Sequence, residues 1–179
     1  MIDFVRIAGR PMNHPITQAR EQLIAEIRTA FDKVSRTNAV SWSEAVVIDG
    51  YGSDEDRAAA RVLDRDTHWS QLIDDPNWHA FPGTGGFVFL DTGGLRYYLP
   101  PALIRHLRGT IEEWYPGHLL GEIERCAFGG SDGNQPVLSK PRMTCLAKFV
   151  HLLAHSTEEA DCASVWRTAL DNRWYKYLE

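Results

Sequence analysis

Cysteine is scarce. The 179 residues hold three, Cys126, Cys145 and Cys162, odd in number, far apart and without a C-x-x-C pair. That spacing argues against a disulfide framework or a structural zinc site and fits reduced thiols, so no metal and no cofactor are expected. Long apolar runs are missing too. None approaches the roughly 18 residues of a membrane span, and no membrane partner is expected. The opening Met1-Ile2-Asp3-Phe4-Val5-Arg6 lacks the basic-then-apolar layout of a secretion leader, so the expected location is cytoplasmic. Basic charge is in deficit as well, with 19 Lys and Arg against 24 Asp and Glu and a formal net charge of −5. A chain of that balance lacks the electrostatic footprint of a nucleic-acid binder, and none is expected as partner.

What the chain does have is enough apolar and aromatic mass to fold as one domain, residues 1–179. Hydrophobic residues make up 44%, including six Trp, six Tyr and seven Phe, the side chains that dominate core packing. The charge is unevenly placed. Between Glu44 and Asp66 seven acids (Glu44, Asp49, Asp54, Glu55, Asp56, Asp64, Asp66) face three bases (Arg57, Arg61, Arg65), so this window alone carries −4 of the −5.

Periodicity assigns most of the chain to helices. Pro15 opens the clearest one, since proline in the first turn forfeits no hydrogen bond. Ile16, Ala19, Leu23, Ile24, Ile27, Ala30, Phe31 and Val34 then form one apolar stripe. Ser41 with Glu44, Ser53 with Asp56 and Ser156 with Glu159 have the spacing of capping boxes. Gly50 and Gly52 are expected to stop the first of those helices by taking φ > 0. Asp64–Ile73 reads as helical turns around Trp69. Lys140–His155 reads as a helix with Met143, Leu146, Ala147, Val150, Leu153 and Ala154 inward. A last helix buries Cys162, Val165, Trp166, Ala169 and Leu170.

The β signal is one hairpin. Phe87-Val88-Phe89-Leu90 and Leu95-Arg96-Tyr97-Tyr98-Leu99 flank Asp91-Thr92-Gly93-Gly94. Pro100-Pro101 then end the second strand and start a helix through Leu103, Ile104, Leu107 and Ile111. The expected fold class is therefore α+β: a predominantly helical domain packed on a small antiparallel sheet containing the 87–99 hairpin. Tyr97 and Tyr98 would point to opposite sides of a strand, so at most one would be deeply buried. Residues 1–13 read as an edge strand or arm, and 129–136 as a flexible loop.

Several of these words resemble a known family. Glu44-Ala45, Ile48-Asp49 and Tyr51-Gly52, then Asp64 and Trp69, then Phe89-Leu90-Asp91 and Arg96-Tyr97-Tyr98-Leu99-Pro100 are similar to an "EAxxIDxYG … FRFYLPAYL" pattern. That pattern marks a family of small bacterial proteins of unknown function (DUF6714-like). The resemblance covers roughly residues 19–155. This chain departs from it with Leu95 where an aromatic is usual and with Pro101-Ala102-Leu103 in place of Pro-Ala-Tyr. The resemblance implies a fold and a bacterial source, and no activity.

No catalytic motif sits in its proper setting. Gly129-Gly130-Ser131-Asp132-Gly133 matches G-x-S-x-G, but no strong strand precedes it and Asn134-Gln135-Pro136 follows where a helix should start. His151 and His155 stand four apart on a helix, yet His-Leu-Leu-Ala-His lacks the carboxylate of a zinc protease, and Lys148 shares their stripe. Gly83-Thr84-Gly85-Gly86 lacks the Lys-Ser/Thr of a phosphate loop. Arg57, Arg61 and Arg65 form a helical stripe that Asp54 and Asp64 should neutralise. Arg96-Tyr97-Tyr98 and Trp174-Tyr175-Lys176-Tyr177 fit either core packing or an interface.

The remaining candidate is the acidic window. Asp49, Tyr51, Asp54, Glu55 and Asp56 are read as a binding surface for another protein with a basic face, against the plainer account of a solvated helix start. The functional expectation is a non-catalytic bacterial protein-binding or accessory protein of immunity type. The alternative is an enzyme, a hydrolase, whose site is assembled from residues distant in sequence.

Overall fold

The computed structural model describes residues 14–79, 86–110, 116–129, 135–156 and 160–179. The arm read at 1–13, the serine of G-x-S-x-G, Thr84-Gly85, Ile111 and the carboxylate of the Ser156 capping box lie outside them. Among the described residues seven α-helices follow one another: α1 (His14–Phe31), α2 (Trp42–Asp49), α3 (Asp54–Arg61), α4 (Thr92–Arg108), α5 (Pro116–Phe128), α6 (Lys140–Ser156) and α7 (Ala160–Ala169). Single 3₁₀ turns at Trp69–Ile73 and Phe87–Phe89 lie between α3 and α4. A π turn, Leu170–Trp174, and a 3₁₀ turn, Tyr175–Tyr177, continue α7.

The helix with the most buried surface is the one the sequence presents as a hairpin. The described residues contain no strand, so the fold is all-α and the expected sheet is wrong. Asp91 caps a helix. Its Oδ1 accepts from the Gly94 N–H at 2.7 Å and from the Val40 N–H at 3.2 Å. Gly93 and Gly94 sit in the first turn of α4 because the chain at 39–40 lies against them. A Cβ on Gly93 would stand 2.7 Å from the Ala39 Cβ, and one on Gly94 2.7 Å from the Val40 carbonyl oxygen. They are a close-packing device, not a turn.

From Leu95 to Leu107 α4 is buried on nearly every side. A helix buried all round reads as one apolar run, which periodicity cannot tell from a strand. Tyr97 and Tyr98 are consequently both buried, at 1% and 0% exposure. Pro100 and Pro101 fall inside α4 and remove the N–H groups that would reach the Arg96 and Tyr97 carbonyls. The helix continues through them, held from outside by packing.

Around α4 the apolar stripes close one continuous core. Leu23, Ile24, Ile27 and Phe31 of α1, Leu103, Ile104 and Leu107 of α4, Leu119 and Ile123 of α5, Leu146, Phe149 and Val150 of α6, and Trp166 of α7 belong to it. α1 packs on α4 and α6, α4 on α5, and α6 on α7. Arg125 ties α5 to the 87–90 segment by donating to the Phe87 and Leu90 carbonyls at 3.2 and 3.0 Å.

A candidate binding ridge and an aromatic cleft

α2 and α3 form a short antiparallel pair on one side of this core. Both begin with a complete capping box, Ser41–Glu44 and Ser53–Asp56, each worth about 1 kcal/mol of helix. Glu44 also does a second job. Its side chain, 4% exposed as a residue, takes the Arg57 guanidinium at 3.1 Å and that of Arg61 at 2.6 Å. The two arginines are thereby turned towards α2. Asp54 pairs with Arg57 at 3.3 Å, while Arg61 goes to Glu44 and not to Asp64. Asp56 is held by Ser53, whose hydroxyl and then backbone N–H keep its carboxyl below the usual range. Glu55 has no ion pair among the described residues, so the outer side of α3 keeps surplus negative charge.

The junction between the two helices departs from expectation. Neither Gly50 nor Gly52 takes positive φ; Gly50 lies at −78°. The left-handed residue is Tyr51, φ 56°. The Gly52 N–H donates to the Val47 carbonyl at 2.9 Å and the Tyr51 N–H to that of Ile48 at 3.1 Å. This is a Schellman stop with tyrosine where glycine usually stands. The conformation costs a non-glycine residue roughly 1–2 kcal/mol. Packing returns nothing, because Tyr51 is 96% exposed. Gly52 is required for a different reason: its Cβ would meet the Val47 Cγ1 at 2.4 Å. Exposed apolar side chains gather on the same unit, with Val46, Val62 and Leu63 all half or more exposed.

Beyond α3 the chain crosses back under α2, and buried polar groups hold it there. Arg36 donates to the Tyr98 hydroxyl at 2.6 Å and to the Asp64 carbonyl at 2.8 Å, and lies 3.6 and 3.5 Å from the Asp64 and Asp66 carboxylates. Asp66 accepts from the Tyr97 hydroxyl at 2.6 Å. Asp64 accepts from the Ser43 hydroxyl and N–H at 2.7 and 2.8 Å. The Tyr98 oxygen also accepts from the Trp42 N–H at 2.9 Å. Burial raises both tyrosine pKa values; Asp66 adds to the rise at Tyr97, and Arg36 opposes it at Tyr98. Both hydroxyls stay protonated.

One side chain anchors the last part of this segment. Arg105 of α4, itself buried, donates to the carbonyls of Ile73 at 2.9 Å, Trp78 at 2.5 Å and Asp75. The turn so held completes a cleft of about 510 Å³ between the start of α2, residues 63–78 and α4. Trp42, Trp78 and Tyr98 wall it, with Trp42 centred 5.3 Å from each of the other two rings. Asp64, Asp66 and Asp75 supply its carboxylates, and no histidine among the described residues lines it. The Trp78 indole N–H is buried without a hydrogen-bond partner among the described residues.

Of the residues read from sequence as a binding surface, Tyr51, Asp54, Glu55 and Asp56 are exposed on the α2–α3 unit and Asp49 is half-buried at the end of α2. The cleft was not anticipated. Its residues stand far apart in sequence, and the only hint was that Asp64 and Tyr98 both fall in the family words. The histidine pair is exposed on α6, its rings 4.3 Å apart, with His155 Nδ1 donating to the His151 carbonyl and Lys148 paired with Glu26. Among the described residues, no three His, Cys, Asp or Glu gather as a metal site would require.

Residues 19–178 match the family described as a family of unknown function (DUF6714), and the chain belongs to it. Among curated proteins and among solved structures nothing matches it. No helix among the described residues is long and apolar enough to cross a membrane.

Proposed function

We propose that this is a non-catalytic binding protein, accessory or immunity-type, that holds a basic partner protein on the α2–α3 ridge. The observation that carries the reading is Tyr51, a fully presented aromatic kept in a conformation that costs stability and gains no packing. Strain of that kind is kept where function uses it. Tyr51 is the anchor of the interface, since aromatics concentrate the energy of such contacts. Asp49, Asp54, Glu55 and Asp56 provide the field that speeds encounter with a basic face. Val46, Val62 and Leu63 offer apolar contact beside them.

A catalytic reading draws no support from the cleft. Tyr98 in its wall is held protonated, and the Ser43–Asp64 pair has no histidine among the described residues to complete a proton relay. The test is affinity capture from the native host, followed by kinetics with the captured partner. Tyr51→Gly is expected to raise the dissociation rate. Changing Asp54, Glu55 and Asp56 to Asn, Gln and Asn is expected to slow association and flatten its salt dependence. Parent-like kinetics in both variants, with the fold intact, would end the proposal.

A further inference from the structure

The cleft under α2 has a chemistry of its own. Three aromatic rings, Trp42, Trp78 and Tyr98, come from segments far apart in sequence and meet at one wall. Trp42 is only partly buried, and its ring also meets Phe87 edge-on at 5.2 Å, so the cluster fixes its orientation. Three carboxylates line the cleft against one guanidinium, that of Arg65, which is exposed. Arg36 does not line the cleft, but it lies 3.6 and 3.5 Å from the Asp64 and Asp66 carboxylates and offsets part of their charge, while its N–H groups go to Tyr98 and the Asp64 and Asp66 carbonyls. Asp64 and Asp66 are largely occupied by Ser43 and Tyr97. Asp75 is not: its Oδ1 accepts from the Asn77 N–H at 2.9 Å, and its Oδ2 has no protein donor among the described residues.

Ring faces together with a carboxylate oxygen that has no donor among the described residues select positive charge. Aromatic quadrupoles attract a cation, most strongly once it is partly desolvated, and a carboxylate repels the anions that could otherwise compete. The molecule already uses this contact next to the cleft. The Arg105 guanidinium lies 5.1 Å from the centre of the Trp78 ring, and that of Arg36 lies 5.6 Å from Tyr97. The cleft volume is within the roughly 300–1,000 Å³ of small-ligand sites.

We propose that this cleft binds an organic cation, a guanidinium or alkylammonium group that stacks on Trp42 and pairs with Asp75. The proposal does not rest on the ridge reading, although Trp42 belongs to α2 and Leu63 borders both, and the site takes the cation either as a free small molecule or as the side chain of a peptide.

The test is a titration followed by the indole N–H resonances of Trp42 and Trp78 in the ¹⁵N-labelled protein. N-acetyl-argininamide is expected to shift both saturably in the millimolar range, and N-acetyl-leucinamide to shift neither. Asp75→Asn keeps the acceptor for Asn77 but loses the charge, and should weaken binding several-fold. Trp42→Leu should abolish it, with circular dichroism confirming the fold. Tighter binding of glycyl-arginyl-glycinamide assigns the cation to a peptide, and tighter binding of agmatine to a free amine; either supports the site. Equal shifts with the leucine probe, no saturation with any of the cations, or an unweakened Asp75→Asn variant would overturn it.

Discussion

The side of the molecule built from α1, α4 and α6 and the side built from α2, α3 and residues 62–78 are held together by different forces. The first is a packed apolar solid. Ile27, Phe31, Leu103, Ile104, Phe149 and Val150 are fully buried there. The second has short helices, reaches the core mainly through Trp69, Leu72, Ile73 and Trp78, and adds polar stitches: Glu44 to two arginines, Arg36 to Tyr98, Asp66 to Tyr97, Arg105 to three carbonyls. It also exposes Val46, Tyr51, Val62 and Leu63. Hydrogen bonds fix geometry while adding only about 0.5–1.5 kcal/mol each. The polar side therefore gives precise placement at modest stability, which suits a surface made for contact.

Mutations should separate the two sides in order of cost. Leu103→Ala, at the centre of α4, is expected to cost about 2–5 kcal/mol in chemical denaturation, while Leu63→Ala on the other side should stay within about 0.5 kcal/mol. Equal costs would erase the contrast. Tyr98→Phe keeps the shape of the ring but strips the acceptor from the Trp42 N–H and from Arg36. A loss of about 1–3 kcal/mol is expected, and a neutral result would show that the polar stitches are ornamental.

A smaller effect of opposite sign is expected at Tyr51. Tyr51→Gly relieves the left-handed strain and should leave stability unchanged or raise it by up to about 1 kcal/mol, with the denaturation slope unaltered. A clear loss would mean that the tyrosine is a structural element after all.

On the packed side, the His106 ring meets that of Phe149 at a tilt, centroids 5.8 Å apart, and burial, then the charge of Arg20, hold its pKa below the ordinary value. The unfolded chain therefore binds the proton more readily than the native one. The stability this neutral histidine contributes is complete above about pH 6.5 and falls as the pH drops below that value. Melting temperatures at decreasing pH should fall less in His106→Gln than in the parent. Finally, burial pushes the Cys126 and Cys145 thiols up to about 12, whereas Cys162 is partly exposed. A thiol reagent should modify Cys162 first in the native protein, and the other two only after unfolding.

What was legible in the sequence was local. The capping boxes at Ser41 and Ser53 and the stripe from Leu23 to Phe31 are set by residues three or four apart, and the structure keeps them. The hairpin misled because Leu95–Leu99 is apolar on both sides, and a buried helix and a buried strand share that pattern. Asp91, three residues before Gly94, carried the correcting signal: an aspartate cap opening a helix. The exposed acids and Tyr51 could be named from their neighbours in sequence. The cleft could not, since Trp42, Asp75 and Tyr98 meet only once the chain has folded.

Arg105 grips its neighbouring turn by hydrogen bonds to main-chain oxygens, which every residue type carries, and by its place over the Trp78 ring. The identities of Asp74, Asp75 and Asn77, which are not buried, are therefore separable from their position, while burial fixes Ile73 and Trp78. A lineage could exchange Asp75 or Asn77 for other side chains, and so retune what the cleft admits, without rebuilding the wall that presents them. The anchor is indifferent to the bait, and that indifference leaves room for selectivity to drift while the architecture stays still.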